Sequence, residues 1–364
     1  MTDMHSKKIK LYVNERLVCS ALRYIFLLFP FWGMKSNNDY LYNTKSYKYV
    51  YDRDYYELVS QVEYADFILI PHDFWHLKKH YPYVLKEMIN EAKSYNKLLL
   101  IDASGDISGK INVPGSVVIR INQYRSSLPS NEITVPVPCE DLLETYYADE
   151  LIIRRKSKKP IIGFVGWASV PSGTQMIRTI MKDLPYRLIS ILNKKYNAYR
   201  KGIFIRKKAV RVFRKSNDVI ARFIIRRSYF GCMNSGASDT NENRKEFVNN
   251  IINSDYSLIV RGDANASTRL YETLSLGRIP VIIDTECVLP LENLIDYRNF
   301  CVFIDHKDMD RAASLLVDFH DSISESRFTD MQREARSAYL QYLRYDAFSK
   351  HLAVILRERI TINK

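Results

Sequence analysis

The chain has 364 residues, 46% hydrophobic and 26% charged, with only 12 Gly and 12 Pro. That composition excludes a collagenous, low-complexity or disordered protein, and the length exceeds what one compact core normally holds. Net charge is +13, but residues 153–227 carry 21 Lys or Arg against Asp183 and Asp218, a local +19 that leaves −6 for the remainder. Such a segment suits phosphate-bearing partners (nucleotides, anionic lipids, acidic glycans or nucleic acid) or a solvated helical face. Five scattered cysteines without a CxxC pair argue against a disulfide framework or zinc knuckle and suit a reducing cytosol. The polar opening MTDMHSKKIK is not a signal peptide. The apolar run 24–32, broken by Pro30, is too short to span a bilayer and suits core packing or contact with an anionic membrane surface.

In chain order, 9–13 and 67–70 read as strands, and 83–95 has helical spacing through Val84, Met88, Ile89 and Ala92. Residues 98–101 form a continuous apolar strand, with further strands at 117–121 and 133–137. This alternation implies a mostly parallel sheet covered by helices. The charged stretch ELIIRRKSKKP, 150–160, reads as a linker. Beyond it, 161–165 is a strand ending at Gly166, while 185–200 and 206–225 read as helices. A helix over 242–253 leads into a strand at 256–260, followed by a helix at 268–276 and strands at 279–283 and 300–304. The end, 308–319 and 331–357, is mainly helical. The expected architecture is α/β, with two Rossmann-like domains facing an interdomain cleft. Domain boundaries are expected at 1–155 and 156–345, with a last helix, 346–364, packing back on the first domain. In such sheets ligands bind beyond the carboxyl ends of the strands.

The most informative stretch is SDYSLIVRGDANASTRLYETLSLGRIPVIIDTECVLPLENLIDY, 254–297. An apolar strand delivers Arg261 and Gly262 into a polar loop, and a helix starts near Ser267 or Thr268, where a hydroxyl can cap backbone N–H groups. The positive helix end favours an anion such as a diphosphate. Arg261 and Arg269 can add charge-assisted hydrogen bonds. Glu272 lies on the same helical face as Arg269 and can hold two ribose hydroxyls. Alone, an RxxE pair is usually a surface ion pair. The ordered series of strand, Arg-Gly, hydroxyl-rich loop, RxxE, Gly277 and Pro280 strand is far more specific.

The pieces SDYSLIVRG, STRLYETLSLGRIPVIID and CVLPLENLIDY resemble the core of exostosin-type glycosyltransferases, above all their bacterial and viral relatives. Weaker resemblance continues through PIIGFVG (160–166), RFIIRRSYFG (222–231) and ADFILIPHDFW (65–75). The resemblance implies a GT-B fold with an N-terminal acceptor domain and a C-terminal donor domain. It also implies transfer from a nucleotide sugar, usually UDP-linked, with inversion and without an essential metal or further cofactor. By position, Arg261 and Arg269 would contact the diphosphate and Glu272 the ribose, with Gly166, Gly262, Ser267, Thr268 and Arg227 completing the donor site.

Inverting transfer needs a general base opposite the leaving nucleotide, at the end of a strand of the first domain. Asp73, after the 67–70 strand, and Asp106, after 98–101, meet that condition. Asp102 suits a buried structural carboxylate. His72 is a third candidate, its ordinary pKa being near neutrality. His72, His76 and His80 recur at helical spacing, but Pro71 and Trp75 suggest an acceptor-binding loop instead, with Trp75 and His76 facing the sugar, and no metal site is expected. Arg222, Arg226 and Arg227 suit donor phosphates, an acidic acceptor or a solvent-facing helix end. The expected enzyme is cytoplasmic, acting on a glycan or lipid-linked acceptor of a surface polysaccharide. The rivals are a basic nucleic-acid-binding protein and a non-catalytic glycan-binding protein.

Overall fold

A computed structural model describes residues 7–34, 47–169, 173–226 and 237–362. The chain divides into two compact units. The first comprises residues 1–140, 288–291 and 340–364, and the second 141–287 and 292–339.

The first unit is built on a six-stranded parallel sheet, β1 (Ile9–Tyr12), β2 (Tyr56–Val59), β3 (Phe67–Leu69), β4 (Leu98–Asp102), β5 (Ser116–Arg120) and β6 (Glu132–Thr134), in the order β2-β1-β3-β4-β5-β6. Ile68, Leu99, Ile101 and Val118 pack against Leu85, Met88 and Ala92 of the helix Pro82–Ser94. A shorter helix, Phe74–His80, precedes it where a loop was expected, because Asp73 caps its first turn. The terminal helix Tyr345–Ile362 belongs to this unit; Tyr345 donates to Pro136 O at 2.6 Å, and Ser349 Oγ accepts from Asp52 N at 2.8 Å.

The second unit holds a five-stranded parallel sheet, β7 (Ile161–Trp167), β8 (Ile220–Arg226), β9 (Tyr256–Ile259), β10 (Ile279–Asp284) and β11 (Val302–Asp305), in the order β11-β10-β9-β7-β8. Its strands are nearly continuous apolar runs because both faces are covered. One face packs on α5 (Gly202–Lys215) and α8 (Ala312–Ser322), the other on α6 (Ala237–Ile252) and on Leu142 and Leu143 of α3 (Leu142–Tyr147). That burial, with an Asp141–Arg336 ion pair at 2.7 Å, is why the second unit starts at Asp141 rather than near 156. The charged stretch 150–160 has no regular structure, yet it is fastened: Arg154 Nε meets Asp255 Oδ1 at 2.6 Å and Arg154 N donates to Gln332 Oε1.

The helix expected over 206–225 ends at Lys215, and 220–226 is strand β8. Ser216, Asn217 and Asp218 break the helix, after which Ala221, Phe223 and Ile225 alternate onto the core. In both sheets the first strand lies between the second and third, so strand order reverses beside β1 and beside β7. The loops following β7 and β9 therefore flank the reversal point of the second sheet, the ligand-binding position of open α/β sheets.

Candidate functional site

The fully buried strand β9 is followed by Val260 and Arg261. Arg261, only 7% exposed, donates from Nη1 to Ala198 O at 2.8 Å, so much of its guanidinium braces the loop it opens. Arg206 of α5 joins the two strand ends, giving Nη1 to Trp167 O and Nε to Val260 O, both at 3.3 Å. Gly202 starts α5 directly beneath the loop. A Cβ there would stand 2.8 Å from Arg261 O and nearer still to Gly262 O. At the far end, buried Asn265 donates to Thr285 O at 3.0 Å and accepts from Thr285 Oγ1 at 2.6 Å. The loop is thus held at both ends.

Helix α7 (Thr268–Ser275) follows. Ser267 occupies its N-cap but makes no side-chain capping bond, contrary to expectation. The Ser267 side chain thus claims none of the first-turn amides, of which Leu270 N donates to Ser267 O at 3.1 Å, and the positive helix end suits an anion. The Arg269 guanidinium lies 4.2 Å from the Phe164 ring centre and 5.2 Å from that of Phe247, and its Nη2 donates to Val165 O. Gly166 makes room for it, since a Cβ there would stand 2.9 Å from Arg269 Nη2. Glu272 is no surface partner. It is buried and receives Arg244 Nη1 of α6 at 2.7 Å. Arg269, Glu272, Gly166 and Gly262 thus line adjoining elements of one region, with Arg261 beneath the loop.

Behind α7, Gly277 turns the chain with φ +60°, a conformation that favours glycine. Arg278 is buried at 1% exposure and donates to Ile252 O at 3.1 and 3.0 Å and to Gly277 O at 3.2 Å. Burial, then the nearby Arg154 charge, pulls its pKa down to about 10, so it stays cationic at neutral pH.

In the first unit, His72 is fully buried. Its Nε2 accepts from Cys19 N at 2.9 Å and its Nδ1 donates to Arg23 O at 2.8 Å. With both ring nitrogens spent on the backbone, this imidazole cannot take a proton from an acceptor, and its role is to pin the loop. Asp73 accepts from His76 N at 2.8 Å through Oδ1, while Oδ2 faces Gly105. Asp106 is exposed, its carbonyl accepting from Asn122 Nδ2 at 2.7 Å. Asp102 is buried at the end of β4, and burial, opposed by bonds from Ser104 and aided by the Asp73 charge, pushes its pKa up to about 6. Trp75 is half-buried against Gly109, where a Cβ would meet its ring, and His76 is exposed near His80. Because His72 is turned into the core, the three histidines do not converge; among the described residues no group of three or more His, Cys, Asp or Glu suits a metal ion.

Arg227 lies outside the described residues. Arg222 and Arg226 sit on β8 rather than at a helix end; Arg222 donates to Asn253 O at 2.6 Å, and Arg226 meets Glu246 at 2.9 Å. Arg206, Arg244 and Gly202 leave no local sequence signal because each acts on the loop or helix from a distant part of the chain, and Asn265 because its partner Thr285 lies 20 residues away.

The fold and loop define an α/β protein with two Rossmann-like parallel-sheet units, the second carrying a helix-opening loop beside its strand-order reversal. Residues 205–319 match the Exostosin GT47 domain. The chain is 31% identical over 118 residues to the Exostosin-1 homolog of Caenorhabditis elegans, covering 32% of this chain and 30% of that protein. It is 26% identical over 151 residues to "Probable arabinosyltransferase ARAD1" of Arabidopsis thaliana, covering 41% of this chain and 30% of that one. The matched regions are therefore under a third of either relative's length. A crystal structure of a glycosyltransferase from Rickettsia africae ESF-5 is 11% identical, with a TM-score of 0.30 over 82% of this chain and 89% of that one. S. aureus TarM in complex with UDP is 10% identical, with a TM-score of 0.32 over 81% and 50%. Through residues 205–319 the chain is similar to exostosin-like glycosyltransferases.

Proposed function

We propose that this protein is a glycosyltransferase that moves a sugar from a UDP-linked donor, with inversion and without a metal or further cofactor. The acceptor is a glycan or lipid-linked glycan of a surface polysaccharide, and the site of action is cytoplasmic. The observation that carries the reading is the 261–267 loop, held at both ends beside the strand-order reversal and leading into the uncapped first turn of α7. Backbone amides of Ser267 and Thr268, with Gly262 and Gly166 allowing close approach, receive the diphosphate. Arg269 and Arg261, with Arg227, add charge-assisted hydrogen bonds to it. Glu272, aimed by Arg244, takes the ribose hydroxyls. Asp73 or Asp106 acts as general base, and Trp75 and His76 meet the acceptor sugar.

Calorimetry with a panel of UDP-, GDP- and CMP-sugars tests the donor assignment, with Arg269→Ala expected to weaken UDP-sugar binding by about tenfold or more. Binding of none of them, or unchanged affinity in the variant, would defeat it. Asp73→Asn or Asp106→Asn should lower turnover by about 10²-fold or more while sparing donor affinity; if neither does, the base lies elsewhere.

A further inference from the structure

Helix α4 (Thr174–Leu192) is oriented opposite to an ordinary surface helix. Ile177, Met181, Leu184, Leu188 and Ile191 recur at alternating steps of four and three and so form one stripe. That stripe faces outward: Ile177 is 59% exposed, Met181 67%, Leu188 56%, Ile191 76% and the following Leu192 91%. What the helix buries instead is a carboxylate. Asp183, 2% exposed, accepts from Arg200 at 2.9 Å and from Lys201 N at 2.8 Å. A contiguous apolar stripe of this length marks a contact surface rather than scattered exposure.

The charges decide what covers it. Asp183 is the only acid in residues 173–199 and is neutralised internally, while Arg178, Lys182, Arg187, Lys194 and Lys195 are all exposed. Pairing with a second copy would bring these cations together. An anionic bilayer surface accepts both features at once, taking the stripe between its headgroups and the cations at its phosphates. No helix among the described residues is long and apolar enough to cross a membrane, so α4 would lie along the surface. We infer that α4 is a membrane-docking helix that seats the protein on anionic lipid, a role independent of the donor reading.

Flotation of the full chain tests this, using phosphatidylcholine vesicles with and without about one-third phosphatidylglycerol. The protein should float with the anionic vesicles and be left behind by the neutral ones, with rising salt releasing it. The double substitution Leu188→Ser and Ile191→Ser should lower partitioning by about tenfold or more, and Lys182→Glu with Lys194→Glu should do likewise. Because all four positions are exposed, far-UV circular dichroism and the unfolding midpoint should not change. Failure to float with anionic vesicles, or equal binding to neutral ones, would overturn the inference. A concentration-dependent dimer in sedimentation, abolished by the serine pair, would overturn it too, by assigning the face to a second copy.

Discussion

The Arg244–Glu272 pair offers a direct trial of whether this helix face binds a ligand or only holds the fold. Each side chain is 7% exposed and the contact is 2.7 Å, so neither charge has water to fall back on. Arg244→Met strands the carboxylate and should destabilise the second unit by about 3–5 kcal/mol. Glu272→Gln keeps an acceptor for the guanidinium and should cost less, about 1–2 kcal/mol. The double variant should be more stable than the sum of its parts by about 1–3 kcal/mol, because it removes both charges together. Urea unfolding followed by circular dichroism measures these terms, and UDP titration calorimetry adds the functional one. If Glu272 holds the ribose, Glu272→Gln should weaken UDP about tenfold, or about 1.4 kcal/mol, beyond its effect on stability. A wild-type protein that binds UDP and a Glu272→Gln variant that binds it equally well would refute the ribose role and leave a structural pair. A cost below about 1 kcal/mol for Arg244→Met would refute the burial argument itself.

Arg278→Met removes the donors of two buried carbonyls, Ile252 O and Gly277 O, and should cost about 3–5 kcal/mol, or a fall of about 10 °C in Tm by scanning fluorimetry. Arg278→Lys should restore less than half, since one ammonium cannot span both helix ends. Asp102 has a folded pKa of about 6 against an ordinary 3.8, so its contribution to stability is full below about pH 4 and is lost as pH rises through about 6. Urea stability of Asp102→Asn relative to wild type should therefore climb by about 3 kcal/mol across that window and then level off; a flat difference would contradict the burial assignment. Gly202→Ala forces a Cβ onto Arg261 O and Gly262 O and should lower both stability, by about 1–3 kcal/mol, and UDP affinity, read by the same calorimetry.

Much of the second unit is legible in the sequence because strands buried on both faces are continuous apolar runs: YSLI and IPVIID can hardly be anything else. Residues 220–226 deceived because RFIIR satisfies a helical period when read with the preceding helix, and only the Ser-Asn-Asp break separates the two. The histidine spacing misled in a similar way. His72 shares a period with His76 and His80 but precedes the Asp73 cap, so it lies outside the helix and points into the core. Partners such as Arg244 for Glu272, or Ala198 for Arg261, lie 28 and 63 residues away in sequence and leave no local signal.

The seating of the 261–267 loop has a consequence for transplantation. Its floor is Gly202 and its tether is Ala198 O, both upstream of the 205–319 span shared with the family. A chimera carrying only the shared span on a foreign scaffold would keep the loop's residues and lose the surface that shapes them. The smallest portable unit therefore begins ahead of Ala198.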